Sequence, residues 1–350
     1  MKIIDSTKIL STLIGATIAV GASASAAFAN DEFIVRTSPA NGGDLIERRK
    51  HEIPARPKVG LALGGGGFRG AAEVGVLEVF EKEGLKFDYV AGTSIGAIVG
   101  GLYVAGVPTS VLREEFASGR AMHHFLPFGL GAGILIVEPA MLVARLFGAR
   151  PYDGLYFGGT FYRYLQALTP STAHRIEDLK TPFAAVSLNI VDGHPYMIRG
   201  GSLADAMRAS SAVPGLRKPV QLGDKLFVDG GVLCNLPVKQ CREMGADIVI
   251  AVNIDEPFGP VPLKTFRKAG SVSDRMVNWS LWNVDKPQEE LADFVIHPDT
   301  AKVGLVLVKR KTQKSVMEAG HRAAQEAMPA IRQLLKGTNA IADKPTAAHL

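Results

Sequence analysis

Val59-Gly60-Leu61-Ala62-Leu63 runs straight into Gly64-Gly65-Gly66-Gly67-Phe68-Arg69-Gly70, and the architecture of the chain can be worked out from that junction. An apolar run delivered into consecutive glycines, with a helical pattern after them, reads as strand, loop and helix. The arrangement then repeats. Phe87-Asp88-Tyr89-Val90-Ala91 leads into Gly92-Thr93-Ser94-Ile95-Gly96 and on into the small, apolar Ala97-Ile98-Val99-Gly100-Gly101-Leu102.

Gly-x-Ser-x-Gly between a strand and a helix is the pattern of a nucleophile elbow, in which flanking glycines permit a strained turn that pushes the hydroxyl clear of its backbone. Ser94 is therefore the candidate nucleophile, with Gly92 and Gly96 as the elbow glycines. The first loop offers what an elbow lacks. Amides of Gly65, Gly66 and Gly67 at a helix N-terminus suit an oxyanion hole, and Arg69 adds a fixed positive charge or orients the loop.

The same loop matches a dinucleotide fingerprint, Gly65-x-Gly67-x-x-Gly70, with Asp88 as its acidic residue. That reading implies an oxidoreductase. It needs the acid at the C-terminal end of the second strand, whereas Asp88 stands at the beginning of that strand. Further on, Lys225-Leu226-Phe227-Val228 ends in Asp229-Gly230-Gly231, placing a carboxylate at a strand end followed by the glycines Gly230 and Gly231. A carboxylate there can face Ser94.

With these motifs in order, the chain resembles the bacterial patatin-like phospholipases: the glycine loop with its arginine, the serine elbow and the Asp-Gly-Gly, over roughly Lys58 to Leu335. Ala209-Ser210-Ser211-Ala212-Val213-Pro214 and Asn235-Leu236-Pro237 are further family-like features. The resemblance implies a single three-layer α/β/α domain with a mainly parallel central sheet. It also implies a Ser94/Asp229 dyad acting on phospholipids, lysophospholipids or related acyl lipids, without cofactor or metal. Spacing by itself equally permits a triad, because His297 follows Asp229 in the chain order of α/β-hydrolases. Ser211 as nucleophile is the weaker alternative, since it has no elbow. A catalytically idle lipid-binding protein is the remaining alternative.

The length of 350 residues and the 47% hydrophobic content allow a sizeable core, and alternating strands and helices favour one α/β domain. The net charge of +5 comes from scattered basic residues and has no nucleic-acid motif behind it. Lys2 and Lys8, the apolar Ile9 to Ala22 and the small-x-small Ala27-Phe28-Ala29 read as a signal peptide over residues 1–29, implying export to the periplasm or beyond. The apolar part is too short to span a membrane, so no stable transmembrane span is expected in the mature chain. Residues 30–57 read as a polar lead-in and 336–350 as a disordered tail. Cys234 and Cys241 read as two buried thiols in preference to a local disulfide, and no metal-binding spacing is present.

Phe125 to Val137 carries no charge and fits either a lipid-facing flap or, in better keeping with its length, a buried segment. Trp279 and Trp282 suit helix packing better than a membrane interface. Oligomeric state is not legible.

Overall fold

The computed structural model describes residues 57–127, 133–268, 270–301, 303–305, 310–336, 338 and 340. The proposed signal peptide, nearly all of the lead-in, most of the tail and residues 128–132 of the apolar run lie outside the described residues.

The strands are β1 (Val59–Leu63), β2 (Tyr89–Thr93), β3 (Phe183–Asn189), β4 (His194–Ile198), β5 (Val220–Leu222), β6 (Lys225–Asp229), β7 (Ile248–Val252) and β8 (Phe294–Ile296). The helices are α1 (Ala71–Lys82), α2 (Ile95–Val104), α3 (Thr109–Ser118), α4 (Arg120–Phe125), α5 (Glu138–Leu146), α6 (Gly159–Leu168), α7 (Leu203–Ser210), α8 (Val238–Glu243), α9 (Ser271–Leu291) and α10 (Arg310–Leu334). Local chemistry accounts for several of their boundaries. Gly84, with φ +71°, follows the end of α1, and the Ser202 hydroxyl caps α7 by accepting from the Asp205 amide at 3.2 Å.

One sheet runs in the order β5-β6-β3-β2-β1-β7-β8, with β4 paired to β3. The β3-β2-β1-β7-β8 part is parallel, and β4, β5 and β6 add antiparallel pairs. This is the expected α/β domain with a mainly parallel sheet, and the β3–β4 hairpin turns at Asp192-Gly193.

Alternation along the strands builds the layers. Val59, Leu61, Leu63, Val90, Phe183, Ile248, Ile250 and Val252 point into the larger core beneath α1, α2, α7 and α10. The intervening Ala62, Ala91, Ala184, Val249 and Ala251 face the other side, against Val238, Cys241 and Met244 of α8 and the loop after it. The residues on that second face are small because the layer lies close: a Cβ on Gly60 would stand 2.8 Å from the Ala246 Cβ. Cys234 and Cys241 are both free and buried. The ordered chain also passes the Leu335 boundary drawn from sequence. Ala340 is buried in the main core, and its carbonyl accepts the Lys86 amide at 2.8 Å.

Candidate active site

The register of β3 explains how residues far apart in sequence meet. β4 pairs with Ala185–Asn189 of β3, overlapping β2, which pairs with Phe183–Val186, so β2 and β4 occupy opposite edges. β6 pairs with Ser187–Asn189, where β4 is also present, so β6 lies on the edge of β2. Thr93 stands opposite Val186 and Asp229 opposite the next residue, Ser187. The C-terminal ends of two antiparallel strands therefore meet head to head, and the Ser94 Oγ donates to Asp229 Oδ2 at 2.5 Å.

The elbow is strained as its motif predicts. Ser94 has φ +53°, the one positive φ of a non-glycine among the described residues. A Cβ on Gly96 would lie 2.4 Å from the Leu63 carbonyl oxygen, so only glycine lets the turn sit against the end of β1. Ser210 holds the strained residue: its hydroxyl accepts the Ser94 amide at 2.9 Å and donates to the Val186 carbonyl at 2.5 Å. Ser211 instead donates to the Met207 carbonyl of its own helix.

Asp229 is held from its other side by the Gly231 amide, which donates to Oδ1 at 2.8 Å. Burial pushes its carboxyl up to about 6, while the Ser94 hydroxyl and the Gly231 amide pull the other way. The group ionises close to neutrality, where a general base works best.

The glycine loop lies across from this pair. Ser94, Asp229, Gly66 and Gly67 line one cavity. The Gly65 amide is occupied, donating to the Asn235 carbonyl at 3.0 Å. The Gly66 and Gly67 amides have no protein acceptor among the described residues, so the donor set narrows from the expected glycines to these two. Arg69 does not reach the cavity. Its buried guanidinium donates to the Val303 carbonyl at 2.8 Å and pairs with Asp255 at 3.6 Å and Glu256 at 3.5 Å, latching the loop to the chain beyond β7.

Asn235 is the residue whose part the sequence reading missed. Its side-chain nitrogen reaches Asp255 and Asp285, each at 2.9 Å, beneath the Gly65 loop. Burial raises both carboxyls, and their proximity raises Asp285 further. Its position shortly after Asp-Gly-Gly was the only signal available. His297 is not brought to Ser94. It ends β8, two strands beyond β1, about 14 Å from β2 by strand spacing, and its Nε2 lies 3.4 Å from Glu289.

From Ser94 the cavity follows one face of α2 past Ile95, Ile98 and Leu102, with Leu112, Phe116 and Phe161 opposite. Among the lining residues, the Tyr164 hydroxyl donates to Glu115 Oε2 at 2.8 Å. A serine, a buried carboxylate and two open amides at the head of an apolar cavity can do acyl transfer.

Residues 61–242 match the family described as Patatin-like phospholipase. The chain belongs to the patatin-like phospholipase family. The match agrees with the three ordered motifs and does not favour the dinucleotide reading. Asp88, the acid that reading requires, binds Lys58 Nζ at 3.0 Å and the Val59 amide at 2.9 Å, at the end of β1 remote from the glycine loop. Among characterised and uncharacterised relatives, the chain is 31% identical over 200 residues to an uncharacterised NTE family protein of Mycobacterium tuberculosis, covering 57% of this chain and 49% of that protein. It is 30% identical over 253 residues to lysophospholipase NTE1 of Yarrowia lipolytica, covering 71% and 16%. It is also 30% identical over 247 residues to human patatin-like phospholipase domain-containing protein 6, covering 70% and 16%. The chain thus spans about half the length, or less, of these curated relatives. Among solved structures, VipD from Legionella pneumophila matches with a TM-score of 0.45 at 15% identity, over 79% of this chain and 67% of that one.

Proposed function

We propose that this patatin-like protein is an acyl-lipid hydrolase using a Ser94/Asp229 dyad. Ser94 Oγ attacks an ester carbonyl and passes its proton to Asp229; the Gly66 and Gly67 amides take the negative charge on the carbonyl oxygen. As the tetrahedral intermediate collapses, the C–O bond to the leaving alcohol breaks and Asp229 returns the proton to that alcohol. Water, deprotonated by Asp229, then attacks the acyl-enzyme, and the proton goes back to Ser94 as the fatty acid leaves.

The observation that carries this reading is the 2.5 Å contact between Ser94 Oγ and Asp229 Oδ2 inside a cavity lined by apolar side chains. The cavity also suggests the substrate class. Its apolar lining along α2, from Ile95 through Ile98 to Leu102, suits an acyl chain. Relatives named as a lysophospholipase and a phospholipase-domain protein favour ester-linked lipids over other acyl donors. The signal-peptide reading of residues 1–29 makes the enzyme an exported one that meets its lipids in the periplasm or outside the cell.

The test is labelling by a fluorophosphonate probe together with hydrolysis of a lysophospholipid. Ser94→Ala abolishes labelling and lowers hydrolysis by about 10³-fold or more, and Asp229→Asn approaches the same loss. His297→Ala retains activity within about threefold; a loss as deep as that of Ser94→Ala would replace the dyad with a triad.

A further inference from the structure

The segment 134–147 is helical, as a wide turn (Gly133–Val137) continuing into α5, and it is apolar on both sides. Its inward stripe, Ile134, Val137, Met141 and Ala144, is partly buried, and Ile134 and Val137 pack on the cluster of Leu126, Leu155, Tyr156, Leu216, Val277 and Leu281. Its outward side is the unusual one. Leu135, Ile136, Leu142, Val143, Leu146 and Phe147 are 51–88% exposed, and Phe157 beside them is 69% exposed. A water-facing helix normally turns charge outward; an apolar stripe on each side is the pattern of a helix with something covering both.

Three observations identify that cover as a lipid bilayer. First, the inward stripe lies beside the Ser94 cavity: the buried Leu216, Val277 and Leu281 belong both to the cluster under Ile134 and Val137 and to the cavity lining. A bilayer covering the exposed side would stand next to that cavity. Second, its 13 helical residues, 134–146, extend about 20 Å, short of the roughly 30 Å of a hydrocarbon core, so the segment fits lying in the interface plane and not crossing it. Third, the cations stand at its C-terminal end. Arg145 and Arg150 are exposed there, at the level where lipid phosphates would meet them, with Tyr152 following. Lys218 fixes the underside, its Nζ 3.4 Å from the Met141 sulfur and 3.6 Å from the Phe157 ring centroid.

We infer that residues 134–147 are an interfacial anchor that seats the cavity's side of the domain on a phospholipid bilayer. Apolar insertion dominates the attachment, because Arg145 is paired with Asp153 at 3.6 Å and little net positive charge remains. The inference takes its orientation from the acyl-lipid reading, but attachment itself needs no hydrolysis, so the two fail separately.

The experiment uses the full chain carrying Ser94→Ala, to keep vesicles intact, and an environment-sensitive nitrobenzoxadiazole label on Val143→Cys. Both native cysteines are buried, which confines labelling to the new one. Phosphatidylcholine vesicles containing a fifth phosphatidylglycerol should shift the emission to the blue and brighten it, and the response should persist at 0.5 M NaCl. The same label on Lys314→Cys, an exposed position of α10, should not respond. Leu142→Glu/Leu146→Glu should weaken the response about tenfold or more in lipid concentration. No shift at position 143 overturns the anchor, even if the active enzyme hydrolyses dispersed lysophospholipid. A shift that appears with rising protein concentration and no vesicles also overturns it, in favour of a second copy of the chain. A lipid-dependent shift with no hydrolysis by the Ser94 enzyme leaves the anchor standing and defeats the proposed reaction.

Discussion

Helix α2 and the segment 134–147 are close to equally apolar, and their surroundings are opposite. In α2 every residue from Ile95 to Leu102 is buried, whereas Leu135, Ile136, Leu142, Val143, Leu146 and Phe147 face solvent. The difference lies in what each segment can press against. α2 carries glycines at 96, 100 and 101, which let its backbone lie against the sheet and α7: a Cβ on Gly100 would be 3.0 Å from Leu63, and one on Gly101 2.9 Å from Met207. The 134–146 run has no glycine after Gly133 and two rows of bulky side chains, of which the domain can accept only one. Hydropathy therefore measures the desire for cover, and small residues decide whether the fold itself can supply it.

That contrast can be broken most severely at the head of α2. Gly96→Ala places a methyl 2.4 Å from the Leu63 carbonyl, a backbone group that cannot swing aside. Its cost is about 3 kcal/mol or more, read as a lowered denaturation midpoint or loss of soluble protein. An alanine tolerated there with unchanged stability would show that the elbow does not need the close approach.

Asp229 tests the same buried end by pH. Its folded carboxyl titrates at about 6, above its ordinary 3.8, so the native state binds the proton more tightly than the unfolded chain does. The stability this contributes is complete below about 4 and is lost as pH rises through about 6, to the extent of about 2–3 kcal/mol. Asp229→Asn removes the titration. Denaturation at pH 4 and pH 8 should show the variant gaining about that much relative to the wild type at the higher pH, while activity disappears. In the wild type, hydrolysis should rise with pH through about 6, as the base ionises. A variant that gains nothing at pH 8 would mean that the carboxylate is better solvated than its burial implies.

The mildest comparison sets one leucine against another. Leu102→Ala, in the buried helix, should cost about 2–4 kcal/mol, and Leu146→Ala, in the exposed segment, should stay within about 0.5 kcal/mol in chemical denaturation. Equal costs would mean that 134–147 is buried in the folded protein in solution.

Much of this was legible in advance. The strands before the two glycine turns and before Asp229, the elbow and the free cysteines follow from local rules of spacing and sterics. By its length the Phe125–Val137 run suits burial better, yet Leu135 and Ile136, at its end, are exposed. Length and apolarity are the same for an inserted segment and a surface one. The Arg69 reading also divided. Its place in the motif is local, but the acceptors that draw its side chain away from the cavity lie at Asp255, Glu256 and Val303. The two tryptophans behave as packing residues only in part: Trp282 stacks near Phe258 with ring centroids 5.7 Å apart, while Trp279 stays exposed.

Residue order alone suffices for two strand–glycine–helix turns and a serine at the bend of one, because those conformations are set by sterics within a few residues; which glycine amides stay open depends on Asn235, whose carbonyl takes that of Gly65. Tertiary structure alone decided that the carboxylate 135 residues away meets that serine, since it depends on β6 taking the edge of β3 that β2 vacates. It alone also left an apolar helix uncovered beside the cavity, because burial depends on which surfaces the rest of the chain has already filled.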